Sequence, residues 1–85
     1  AGICATPAFV FAHHDLIGSA TVTGYPGTQS KLPAGQVRQE RVVIDLPNKL
    51  ITSQGPATSI DFALAIVSVL QGPATSEQVR KDMLA

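Results

Sequence analysis

Apolar residues fall in short clusters along this chain, each bounded by Gly, Pro or small polar residues. Phe9-Val10-Phe11 follows Thr6-Pro7, a pairing of N-cap and first-turn residue that predicts a short helix from Pro7 to about His14. Gly18 closes that region. Ala20-Thr21-Val22-Thr23, rich in β-branched residues and set between Gly18 and Gly24, predicts a strand. Tyr25-Pro26-Gly27 is a turn, and Thr28 to Leu32 one helical turn before Pro33-Ala34-Gly35 breaks it. Arg41–Leu46 and Lys49–Ser53 are strands by composition, joined at Pro47-Asn48 as a β-hairpin leading into a buried strand.

The pentapeptide Gly-Pro-Ala-Thr-Ser occurs at 55–59 and again at 72–76. Each copy ends one element and starts a helix, with Pro breaking and Thr or Ser capping. In the second copy Thr75-Ser76-Glu77-Gln78 has the spacing of a capping box, so the last helix is placed at Glu77–Leu84, on the surface. The preceding helix, Ile60 to Leu70, is apolar almost all round. Its one charge, Asp61, lies in the first turn, and such a helix is expected to be buried on most sides. The order helix, strand, hairpin, helix, helix predicts an α/β sandwich with helices covering a sheet.

Composition sharpens this picture. The chain has 85 residues, 45% of them apolar and 14% charged, against roughly 25% charged in an ordinary soluble domain. A body this small buries little more than ~60% of its unfolded surface by itself. The apolar excess therefore implies packing against more protein, either as an obligate oligomer or as the C-terminal part of a larger domain. Six basic and six acidic residues cancel, and they are scattered, so no nucleic-acid footprint is present. The apolar run Phe62–Leu70 is too short to span a bilayer, and no basic amphipathic segment suggests a membrane surface. The single cysteine has no internal disulfide partner, which fits a reducing, cytoplasmic compartment and leaves the thiol free for chemistry.

That cysteine is the candidate nucleophile. Cys4 stands three residues before Pro7, where the orphan N–H groups of a helix start favour a thiolate. Gly2-Ile3-Cys4-Ala5 reads as a nucleophile elbow carrying sulfur, with the backbone N–H groups of Cys4 and Ala5 as oxyanion donors. An elbow needs a strand to feed it, and only three residues precede Cys4. His13-His14-Asp15 suggests a metal site at first sight. Adjacent helical histidines diverge, no further His or Cys completes a set, and polar residues at a helix end explain them better. Gly55-Pro56 lacks any phosphate-binding fingerprint around it.

Taken together, Gly2–Pro7, the His14-Asp15 corner, Gly18–Pro26, Ile51–Ser59 and the helix Ile60–Ile66 resemble the ThiJ/PfpI family, in particular the branch of the Parkinsonism-associated protein deglycase. The resemblance implies a flavodoxin-like sandwich, class I glutamine amidotransferase-like, of which residues 1–85 form the C-terminal half. The N-terminal half would then be a separate chain that brings the first parallel strands, an acidic partner for Cys4 and a glycine N–H of the oxyanion site. It also implies a homodimer of complete domains. By the same resemblance Tyr25 occupies a position where some members carry His, as pocket wall or hydroxyl donor, and Pro56 belongs to a loop lining the pocket.

The activity implied is that of a cofactor-independent cysteine enzyme of deglycase or glyoxalase type, acting on small carbonyl substrates such as methylglyoxal or glyoxal adducts. An alternative is a redox-sensing chaperone in oxidative stress, whose Cys4 is oxidised to sulfinic acid. A cysteine peptidase or amidase is a weaker alternative, because Tyr25 leaves the site without a Cys-His pair.

Overall fold

The computed structural model describes residues 1–85. A three-stranded sheet holds the site. Its strands are β1 (Gly2–Ile3), β2 (Val42–Asp45) and β3 (Leu50–Ser53), in the order β1-β3-β2. β3 is central. It pairs in parallel with β1, Gly2 opposite Thr52 and Ile3 opposite Ser53, and antiparallel with β2, Val43 opposite Thr52. The predicted hairpin is present, and Lys49 turns it with a φ of 54°. Two helices follow, α1 (Ser59–Gln71) and α2 (Pro73–Asp82). The strand required before Cys4 is thus there, two residues long and held by a neighbour from the far end of the fold.

The predicted first helix is a six-residue π-helix, Pro7–Ala12. Thr6 does not cap it. Its backbone is already helical (φ −59°, ψ −46°) and its side chain makes no capping bond. The predicted turn at residues 25–27 and the helical turn beyond it merge into one 3-10 helix, Pro26–Lys31.

Residues 20–23 are not a strand. Val22 makes a single parallel bridge, to Val37. The N–H groups on either side go to side chains instead: Thr21 N–H donates to Asp45 Oδ2 at 2.8 Å and Thr23 N–H to Thr52 Oγ1 at 2.9 Å. Side-chain acceptors on β2 and β3 thus replace a ladder, and Ala20, Val22 and Thr23 lie fully buried without joining the sheet. The bond from Thr21 N–H, supported by Asn48, holds the Asp45 carboxyl below its usual range. Ala20 and Val22 join Ala8, Ile17 and Leu32 in the core, with Phe11 and Leu50 packed against it.

The capping box at 75–78 is overturned. α2 begins at Pro73, directly after Gly72, whose φ of 93° both ends α1 and starts α2. Ser76 lies inside the helix, and its hydroxyl donates to the Leu64 carbonyl of α1 at 2.8 Å. Proline at the first helical position, where its missing N–H costs nothing, takes precedence over the capping spacing. Nor does Thr58 cap α1; its hydroxyl folds back onto Gly55.

α1 is not buried on most sides. Leu64 is its one buried residue, while Ile60, Val69 and Leu70 are exposed, Leu70 to 71%. Its apolar surface exceeds what the sheet and α2 of this chain cover. No helix is long and apolar enough to cross a membrane.

Candidate active site

Cys4 occupies the bend between β1 and the π-helix, partly exposed. Its φ is 62°, a left-handed conformation that non-glycine residues adopt at a cost of about 1–3 kcal/mol. Two backbone bonds hold it there. Cys4 N–H donates to the Ser53 carbonyl at 3.0 Å, extending the β1–β3 pairing by one step, and the Cys4 carbonyl accepts Tyr25 N–H at 2.7 Å. The nucleophile candidate is therefore clamped between the end of β3 and the start of the 3-10 helix. A π-helix directly after it is itself unusual, and such wide turns are frequent at functional sites.

The clamp corrects one expectation. Because Cys4 N–H is committed to Ser53, it is not a free oxyanion donor. Ala5 N–H, by contrast, meets no acceptor in the structure. Of the two expected donors, only Ala5 N–H is unoccupied.

Tyr25 sits against this bend. Gly24 beside it lies close to the bend, since a Cβ there would meet the Cys4 carbonyl oxygen at 3.2 Å, tighter than ordinary contact. The Gly24 carbonyl accepts a bond from Gln29 Nε2 at 3.0 Å, which ties the bend to the 3-10 helix. The turn after β3 reaches the same place: a Cβ on Gly55 would lie 3.7 Å from Tyr25 Cδ1. Cys4, Tyr25 and the Gly55-Pro56 turn are thus brought together through backbone contacts. Pro56 is exposed on that turn, and none of the four cavities of this chain is lined by Cys4, Tyr25 or Pro56.

His13 and His14 lie at the other end of the π-helix from Cys4, with ring centroids 4.9 Å apart in an edge-to-face arrangement. No group of three metal-ligating side chains converges anywhere in the chain. Sequence reasoning missed Ser53 and Gly24. Ser53 acts through its carbonyl, which no side-chain pattern reveals. Gly24 had a signal, a glycine directly before Tyr25, the expected pocket residue.

Comparison with known proteins decides the lineage. The model of the DJ-1/PfpI family matches residues 1–69. The chain belongs to the DJ-1/PfpI family. It is 43% identical over 82 residues to the protein DJ-1 homolog B of Arabidopsis thaliana, covering 96% of this chain and 18% of that protein. It is 32% identical over 81 residues to the glutathione-independent glyoxalase DJR-1.2 of Caenorhabditis elegans, covering 95% of this chain and 42% of that one. A Toxoplasma gondii DJ-1 structure described as oxidized superposes with a TM-score of 0.91 at 33% identity, covering 96% of this chain and 44% of that one. The fold is the DJ-1/PfpI fold, and this chain spans less than half the length of each of these relatives.

Proposed function

We propose that this chain supplies the nucleophile of a glyoxalase-type site acting on small 2-oxoaldehydes such as methylglyoxal or glyoxal, free or as adducts. The observation that carries the reading is the strained Cys4 backbone, held at φ 62° by Ser53 and Tyr25 at the end of a strand. Strain maintained by two opposed hydrogen bonds is a feature of sites that hold a reactive group ready. The relationship to a named glyoxalase supports the same class of substrate.

In this reading Sγ of Cys4 adds to the aldehyde carbon of methylglyoxal, forming a C–S bond, and Ala5 N–H meets the oxygen of the adduct. A carboxylate from outside this chain removes the proton from that carbon and returns it to the neighbouring one. The ketone becomes an alcohol and the former aldehyde carbon a thioester. Water then cleaves the C–S bond, releasing lactate and the thiolate. No external oxidant or reductant is needed. The tyrosine ring and the Gly55-Pro56 turn wall the substrate, and residues 1–85 act as the C-terminal half of a larger domain whose remainder covers the apolar face of α1.

The test is lactate release from methylglyoxal by the complete protein and its Cys4→Ser variant. The expected loss in kcat is on the order of a thousandfold or more, as for removal of an enzymatic nucleophile. Equal rates would remove Cys4 from the mechanism. A second reading, a thiol that senses oxidant, is favoured by the partial exposure of Cys4 and by the oxidized state of the Toxoplasma relative. Mild peroxide followed by mass spectrometry of the Cys4 peptide separates the two, since a sensor accumulates sulfenic and sulfinic acid at doses that leave other thiols reduced.

A further inference from the structure

The turn that follows β3 touches the site at two points, the Ser53 carbonyl on Cys4 N–H and Gly55 against the Tyr25 ring. One buried hydroxyl governs its shape. Thr58 Oγ1 accepts Gly55 N–H at 3.2 Å and lies 2.8 Å from the Gly55 carbonyl oxygen and 2.5 Å from Ser53 Oγ. Ser53 Oγ lies 2.6 Å from the Arg41 carbonyl oxygen on the strand side, so the two hydroxyl protons are shared along one chain of oxygens from Arg41 through Ser53 and Thr58 to Gly55. Ser53 is fully buried and Thr58 exposes 5% of its surface, so water does not compete for these bonds. Thr58 is thus the link between both residues through which the turn reaches Cys4 and Tyr25.

We infer that Thr58 is a positioning residue for the cysteine site: its hydroxyl sets the Ser53–Gly55 turn, and through it the geometry of Cys4 against the pocket wall. The inference rests on Cys4 being the reactive group. Valine at 58 keeps the β-branched volume and removes the hydroxyl. Gly55 N–H then loses its partner in a buried place, while the Gly55 carbonyl keeps only the backbone N–H of residue 58 at 2.9 Å, and the turn relaxes to recover a hydrogen bond. Serine at 58 keeps the oxygen and loses only a methyl group.

The experiment compares Thr58→Val, Thr58→Ser and Ile51→Val in the complete protein. Ile51 is buried on β3 and takes no part in the hydroxyl hydrogen bonds, so it controls for loss of stability. Two readouts are taken: kcat and KM for methylglyoxal, and the rate of iodoacetamide alkylation at the Cys4 peptide, followed by mass spectrometry. Misplacement of reacting groups by a fraction of an ångström predicts that Thr58→Val lowers kcat about tenfold or more with KM little changed, and shifts the alkylation rate severalfold. Thr58→Ser and Ile51→Val stay within about twofold of the parent, the range of a shift too small to disturb near-attack geometry.

Thr58→Val matching the parent in both readouts overturns the inference, as does Thr58→Ser being as impaired as Thr58→Val. Should Thr58→Val not fold, Thr58→Ala removes the same hydroxyl with less bulk. An unchanged kcat and alkylation rate in Thr58→Ala overturns the inference equally. The alkylation arm needs no turnover. It therefore reads Thr58 even if Cys4→Ser were to retain glyoxalase activity, an outcome that refutes the functional reading instead.

Discussion

Gly2 is where the strand that feeds Cys4 passes beneath the π-helix. A Cβ added there would lie 2.5 Å from Phe11 Cε2, 2.7 Å from Phe11 Cζ and 3.0 Å from Thr6 Cγ2. Ordinary carbon contacts begin near 3.5 Å, so the ring tip must retreat by about an ångström. Phe11 packs on the core formed by Ala8, Ile17, Ala20, Val22 and Leu32, which limits that retreat. Overpacking of this kind costs about 1–3 kcal/mol. For a domain of about twice this length that is a fall in Tm of roughly 2–4 °C per kcal/mol.

A double-mutant cycle isolates the cause. Phe11→Leu deletes the two ring atoms that clash, so Gly2→Ala in that background loses most of its penalty. The coupling expected is about 1–2 kcal/mol, favourable to the double variant, read by chemical denaturation of the complete protein. If the two substitutions are additive within about 0.5 kcal/mol, Gly2 is not there to let the helix approach, and the steric argument fails.

Two further predictions follow from the same hydrogen-bond geometry. Ser76→Ala removes the bond from α2 to the Leu64 carbonyl and leaves that acceptor buried, so stability falls by about 1 kcal/mol, measured as a shift in the urea midpoint with an unchanged m-value. The Asp45 carboxyl is held below its ordinary value, chiefly by Thr21 N–H, so its folded-state pKa lies below the unfolded one. Its stabilising contribution is complete above the ordinary carboxylate range and disappears as pH falls through the depressed folded value. Asp45→Asn accordingly flattens the acid limb of a stability-against-pH curve while leaving the neutral-pH slope unchanged, and an unaltered acid limb would refute this.

The parts of the fold that sequence made legible are those governed by local chemistry. Proline at the start of helices, a hairpin marked by Pro47-Asn48, and an apolar helix after Gly55-Pro56 all depend on neighbours in the chain. Cys4 before a helix was legible for the same reason. What was hidden depends on distant acceptors. Residues 20–23 have strand composition, yet Asp45 and Thr52 take the N–H groups a neighbouring strand would have taken. Thr75-Ser76 has capping spacing, yet Pro73 starts the helix earlier and Ser76 bonds across to α1. At the site, the N–H of Cys4 is occupied by a carbonyl whose identity only the sheet register reveals. The exposure of α1 was illegible because composition reports how much apolar surface there is, not what stands next to it.

The bond from Cys4 to Ser53 joins two segments that lie far apart along the chain. Pairings between such remote segments form slowly, because loop-closure entropy must be met before they contribute. The sulfur therefore acquires its distorted backbone only once the hairpin has been made and its inner strand has captured β1. During synthesis the thiol is an ordinary flexible side chain until the residues of the hairpin have followed it. Competence at this centre is a late event of folding, and a substitution that slows hairpin closure delays it without altering any group at the sulfur.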